Sequence, residues 1–257
     1  MPAPLNLPAA FRLHAGSDPE EPWLFRAEGW DWIWHSWVEL AGWMRPWTER
    51  LSSLPTRSRA SFLYTSRPES VVLDLAIQAA GLVSAPASAR GDGVWIEIEG
   101  GDLRISPSPE PVSRDPDSGT GGVVVSAGEE WTAAALVAAG ERLREAIGSR
   151  EEREIVVLGG PLESPVERRM LAWATLAGAA VVLEPNPALR PATAAWVRPT
   201  VFHGVPREIA ELRSRVKERG GRLPFRRLRT VLVTGAERLA TEDEAFWRGR
   251  GVRVGWI

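Results

Sequence analysis

Val197-Arg198-Pro199-Thr200-Val201-Phe202-His203-Gly204-Val205-Pro206-Arg207-Glu208 is the stretch that decides how this 257-residue chain folds. Residues 199–202 are apolar and β-branched enough to make a buried strand. Gly204-Val205-Pro206 is a tight turn, and Pro206 followed by a polar, periodic run is a helix start. A buried strand that passes at once into a helix is a piece of a sheet with helices packed on it.

The same grammar extends in both directions. Downstream and upstream of it, strands are expected at 122–126, 154–158, 179–183 and 230–233, and helices at 130–147, 163–176, 207–219 and 242–248. A shorter helical piece, 188–196, precedes the quoted strand. Strands this continuously apolar are covered on both faces. Nearer the start, 60–65 reads as a strand, Pro68-Glu69 opens a helix to about Ala80, Gly81 stops it, and 82–86 is the next strand. That is a strand–helix–strand unit of the kind that builds parallel sheets. Residues 94–99 and 103–106 form a hairpin turning at Gly100-Gly101. The fold class is therefore α/β, with mostly parallel sheets flanked by helices. The domain is expected over 31–257, with sub-domains 31–106 and 119–257 separated by a Pro- and Ser-rich loop at 107–118, and with 1–30 as an N-terminal arm.

Tryptophan is crowded between Trp23 and Trp47. From Asp31 to Leu51 the apolar residues Ile33, Trp37, Leu40, Met44, Trp47 and Leu51 recur at helical spacing. Trp34 and Trp43 fall outside that stripe. Two readings stand: a core helix with two aromatics at its margins, or a surface for a partner protein, a second copy or a fatty chain.

Composition excludes several classes. Apolar residues make up 44% and charged residues 25%, as in ordinary globular proteins. A net charge of -2 gives no drive towards nucleic acid. Cysteine is absent and His14, His35 and His203 are scattered, so no metal-ligand spacing can be drawn. No signal peptide and no membrane span is read, and cytoplasm is the expected location. Lys217 is the one lysine; every other basic residue is arginine.

In their order along the chain, these segments resemble the large N-terminal domain of long-chain acyl-CoA synthetases, of the adenylate-forming (AMP-binding) superfamily, which activates carboxylic acids with ATP. Residues 34–40 (Trp34 to Leu40) resemble the opening helix, and Arg67-Pro68-Glu69 to Ala80-Gly81 the family's N-R-P-E-W…A-x-x-x-A-G helix. The stretch 197–208 resembles the strand beneath the acyl site. Leu228 to Leu239 resembles the L-R-x-x-x-x-G-G-A-P-L strand, whose Gly-Ala turn lets adenine approach the backbone. Ser118-Gly119-Thr120-Gly121-Gly122 stands where the family has its phosphate loop, but without the Pro-Lys; a Gly-rich turn before a strand is the competing reading. Gly160 to Arg168 matches the turn P-L-x-H-x-x-E-R, with Ser164 in place of the histidine.

The resemblance implies nucleotide-binding positions at Ser118, Gly119, Thr120, Gly121, Gly122, Gly235 and Ala236. It implies acyl-pocket positions at Ser164, Glu167, His203 and Gly204. For Glu167 and Arg168 a solvated helix start is the alternative, and for His203 a satisfied histidine at a strand end. The chain stops at the approach to the family's Y-G-x-T-E motif, so the magnesium-binding Thr-Glu, the C-terminal lid domain and its lysine are expected to be absent. No catalytic residue and no metal ligand is assigned. The expectation is a ligase-like domain, non-catalytic on its own, with residual binding of an acyl or adenylate group. Two alternatives are a ligase completed by a partner that supplies the missing domain, and a structural or interaction subunit. ATP and magnesium enter only under the ligase reading.

Overall fold

A computed structural model describes residues 6–28, 31–87, 93–106, 122–126, 129–148, 153–218 and 227–257. The chain opens with helix α1 (Leu7–Ser17), capped by the Asn6 side chain, which accepts from the Ala9 N–H at 2.8 Å. Strands β1 (Pro22–Glu28) and β2 (Asp31–Ser36) pair antiparallel, and β2 runs straight into α2 (Trp37–Leu51). Next come β3 (Arg59–Leu63), α3 (Pro68–Ala79), β4 (Val83–Ala87) and the hairpin β5 (Val94–Glu99) with β6 (Asp102–Ser106). A second hairpin, β7 (Gly122–Ser126) with β8 (Glu129–Thr132), leads into α4 (Ala133–Ile147). The alternating part follows: β9 (Ile155–Leu158), α5 (Pro165–Ala177), β10 (Ala180–Leu183), α6 (Arg190–Val197) and β11 (Val201–Gly204). It finishes with α7 (Pro206–Glu218), β12 (Thr230–Val233), α8 (Thr241–Arg248) and β13 (Arg253–Trp256).

Among the described residues the strands form two sheets. One has seven strands in the order β13-β12-β11-β9-β10-β1-β2, parallel except for β2. The other has six in the order β6-β5-β3-β4-β7-β8, parallel within and antiparallel at both edges. Every residue of β10, β11 and β12 is buried, as strands covered on both faces must be. Alternate residues serve two cores. Val156, Leu158, Val181 and Val201 face a large core shared with α1 to α5 and with Ala60, Phe62 and Ile96 of the second sheet. Val157, Val182, Phe202 and Val231 face a smaller core beneath α6, α7 and α8. Both sheets are α/β and mostly parallel, as read from the sequence.

One joint crosses the large core. Arg168 of α5 donates to Asp74 of α3 at 2.6 Å, and both side chains are 0% exposed. The same carboxylate accepts from Gln78 at 2.8 Å and from the Ser84 hydroxyl on β4. Three donors around this buried carboxylate stand in for the water it has lost.

Two expectations are corrected. Residues 1–30 are not a peripheral arm: in the described part, Leu7, Ala10, Phe11, Trp23 and Leu24 are core residues, and β1 lies inside the seven-stranded sheet, parallel to β10. The cause is aromatic. Trp23 and Trp37 stack at 4.2 Å with 13° between their planes, and Phe11 packs on both at 5.3 Å. The helix expected from Asp31 begins instead at Trp37. Trp32, Ile33 and Trp34 suit a strand, and Ser36 accepts from the Glu39 N–H at 3.3 Å as the helix cap. In the same way 129–132 is a strand and α4 starts after the Thr132 cap, which accepts from Ala135.

Phe11→Ala is expected to cost about 3–4 kcal/mol in urea unfolding, the penalty of an aromatic cavity in a packed core. A loss within about 0.5 kcal/mol, typical of surface positions, would return the first helix to the status of an arm.

Candidate functional site

Strands β9, β10, β11 and β12 end side by side, with Leu183 opposite Leu158 and Gly204 opposite Val233. In open parallel sheets ligands settle at this carboxyl edge. Three glycines here hold no space of their own. A Cβ on Gly159 would sit 2.4 Å from Arg190 Cδ, one on Gly160 2.6 Å from Glu167 Cγ, and one on Gly204 2.7 Å from Glu208 Oε2. Their absent side chains make room for a charged cluster.

Arg190, the first residue of α6, is its centre. One terminal nitrogen donates to the His203 carbonyl at 2.6 Å and to His203 Nε2 at 3.0 Å; the other reaches both Glu208 oxygens at 3.3 and 3.4 Å. Glu167, from the first turn of α5, lies 3.9 Å from that guanidinium and 3.7 Å from His203. It accepts from the Gly160 and Gly159 backbone. Glu208 also accepts from the Val205 N–H at 3.0 Å, closing the start of α7. Glu184, just past β10, accepts from the Asn186 N–H and the Thr193 hydroxyl.

Burial sets the charges. It pushes the Glu167 carboxyl up to about 7, with Arg190 and the two glycine N–H groups pulling against it. It pushes His203 well below the ordinary histidine value, and Arg190 adds to that shift. The imidazole is therefore neutral, its Nε2 an acceptor for Arg190 and its N–H directed to the Val157 backbone. With Glu167 protonated, Arg190 and Glu208 balance each other.

The expected positions divide as follows. Glu167, His203 and Gly204 come together in this cluster, and Ser164 sits at the cap of α5, one turn before Glu167. Glu167 and Arg168 are buried, so the solvated helix start is not what the structure holds. Gly235 and Ala236 are exposed in the turn after β12, next to the end of β11, where the Thr234 N–H donates to the Gly204 carbonyl at 2.9 Å. Ser118, Gly119, Thr120 and Gly121 lie outside the described residues; Gly122 opens β7, in the six-stranded sheet. Trp34 and Trp43 do not share a surface. Trp34 pairs with Phe25 on one face of β2, while Trp43 packs edge-on against His35, from the other face, at 4.9 Å. Sequence reasoning missed Arg190, Glu184, Thr193 and Glu208 as parts of the site. The signal that pointed there was Gly159-Gly160 directly after an apolar strand. Among the described residues no group of three His, Asp or Glu side chains is placed to hold a metal ion.

This is the fold of adenylate-forming enzymes, and the chain spans only part of the solved chains' length. The structure of CmiS6 matches with a TM-score of 0.75 at 17% identity, covering 99% of this chain and 71% of that one. The N-terminal domain of FACL13 from Mycobacterium tuberculosis matches at 0.71 and 12% identity, covering 98% and 76%. The fatty acyl-adenylate ligase from L. pneumophila, solved with acyl adenylate and pyrophosphate, matches at 0.74 and 12% identity, covering 97% and 53%. No protein-family model matches the sequence, and no curated protein matches it.

The buried carboxyl makes stability depend on pH. The folded protein keeps the Glu167 proton up to about pH 7, whereas at its ordinary value of 4.5 the unfolded chain has already lost it. Stability therefore falls as pH rises through that window. Glu167→Gln should flatten the fall and be the more stable protein at pH 8 by on the order of 2 kcal/mol. Superimposable pH profiles in urea unfolding would contradict the protonated carboxyl.

Proposed function

We propose that this chain is an AMP-binding-like domain that holds an acyl or acyl-adenylate group at the carboxyl edge of its seven-stranded sheet and does not form the adenylate unaided. The observation that carries the reading is the pair of turns at that edge. Gly204-Val205 and Gly235-Ala236 lie side by side, and a Cβ on Gly235, whose φ is 91°, would come only within 4.0 Å of Val205. The exposed residues of these turns, Val205 and Gly235-Ala236, form an open lip of backbone against which a flat base can lie, with the adjacent Arg190 cluster as a rigid wall. Likeness to ligases over nearly the whole chain supports the choice of ligand.

The charge inventory supports the second half of the proposal. Adenylation brings two anions together, and cations and a metal normally carry that burden. The one lysine, Lys217, stands near the end of α7 with its ammonium 5.5 Å from the Phe246 ring. A helix of that length carries it about 17 Å from the carboxyl edge where α7 begins. Three carboxylates at that edge, Glu167, Glu184 and Glu208, are turned towards arginine, threonine or backbone N–H groups of the chain itself. Held in that way, these three do not fit a magnesium ion. A ligase that works only with a further domain is the second reading; the chain spans 53% of the length of the L. pneumophila enzyme.

A stable long-chain acyl-adenylate analogue at a hundred times its dissociation constant should stabilise the fold by about 2.7 kcal/mol, read as a thermal shift. Ala236→Trp, at an exposed position on the lip, should abolish the shift without lowering the unliganded melting temperature. Pyrophosphate exchange should stay at background for the chain alone. No shift with the analogue, ATP or free fatty acid sinks the binding proposal. Exchange above background sinks the claim that the chain does not form the adenylate.

A further inference from the structure

β2 is the last strand on one side of the seven-stranded sheet, so one row of its backbone N–H and C=O groups faces away from β1 with no described strand beyond. Such edges are commonly blunted by lysine, proline or a bulge. β2 reads Asp31-Trp32-Ile33-Trp34-His35-Ser36, contains none of the first two, and pairs with β1 in unbroken register from Asp31 to His35. Alternation sends Trp32 and Trp34 to the face of Ala27 and Phe25, where they stay 38% and 51% exposed. Ile33 and His35 turn to the other face, where His35 Nδ1 meets Glu39 at 2.7 Å.

We propose that β2 pairs antiparallel with β2 of a second copy of this chain, about a two-fold axis through Ile33, so that the two large sheets become one. The sequence is self-complementary in that register. Matching faces across a two-fold axis requires paired residue numbers with an even sum, which leaves Ile33 and Trp34 as the central choices. Centred on Ile33, Trp32 lies opposite the partner's Trp34 and Trp34 opposite the partner's Trp32, so four indoles line one face. Asp31 lies opposite the partner's His35, carboxylate against imidazole, once on each side of the axis. Centred on Trp34, Trp32 meets the partner's Ser36 and Asp31 meets no strand residue. Aromatic cross-strand pairs are among the stabilising ones, and the Asp31 carboxylate can accept a hydrogen bond from the partner's His35 ring. The 31 basic and 33 acidic residues of each copy nearly cancel, so long-range repulsion does not oppose the approach.

Sedimentation velocity of the full chain over about two decades of concentration should show monomer passing to dimer by mass action. Trp32→Ser with Trp34→Ser should weaken the dimer at least about tenfold, since aromatic anchors dominate such contacts. Trp34→Lys, a gatekeeper charge on the same exposed position, should do the same while leaving the fold intact. The chain has no cysteine, so Ile33→Cys places a single thiol at the axis and should give a disulfide-linked dimer under mild oxidation. Leu63→Cys, exposed on the other sheet, should not. A monomer at every concentration overturns the proposal. So does a dimer indifferent to both tryptophan variants and not linked through Ile33→Cys.

Discussion

The Asp74–Arg168 pair is the interaction on which the rest of the molecule depends. It is the buried ionic tie between α3, which belongs to the six-stranded sheet, and α5, which belongs to the seven-stranded one. Removing either partner would leave a charge stranded in a dry core, a penalty typically of about 3–5 kcal/mol. Ser84 and Gln78 complete the carboxylate's shell, so β4 and α3 are tied into the same joint. Because Arg168 is fixed, the first turn of α5 is fixed, and its neighbour Glu167 is delivered to the carboxyl edge. Two consecutive residues thus serve the two levels of the structure, one joining the sheets and one shaping the site.

At the edge itself a single guanidinium organises the remainder. Arg190 satisfies the end of β11 through the His203 carbonyl, holds the imidazole as an acceptor, and pairs with the carboxylate that caps α7. Glycines 159, 160 and 204 are the condition for that packing, since any side chain there would collide with the cluster. Half of the edge is thereby filled by the protein's own polar groups. The other half, at Val205 and Gly235-Ala236, keeps backbone within reach of solvent. A domain built this way has a rigid floor and one open lip at its carboxyl edge.

How much of this was legible in the sequence depended on whether local pattern and tertiary packing agreed. Around 197–208 they agreed: a strand with both faces buried, then Pro206 at the first turn of a helix. From Asp31 to Ser36 they did not. Ile33 fell in phase with Trp37 and Leu40, so a helical period extended across residues that β1 holds in a hairpin. The first helix shows a weak apolar stripe, and its aromatic partners lie at Trp23 and Trp37, on separate elements. Arg190 gave no local sign, because it begins a short helix after Pro187 and acquires meaning only when β9 and β11 lie beside it. Glu167 and His203 were legible as candidates through the family resemblance, but their burial and mutual approach were not.

The most direct test of the proposed ligand lip is hydrogen–deuterium exchange on the full chain, with and without a stable acyl-adenylate analogue. The account predicts added protection at Val205 and at Gly235-Ala236, with the buried ends of β9 and β11, Gly204 included, already slow in both states. Unchanged exchange in those two turns at saturating analogue would contradict it, and the carboxyl edge would then be a structural seam alone.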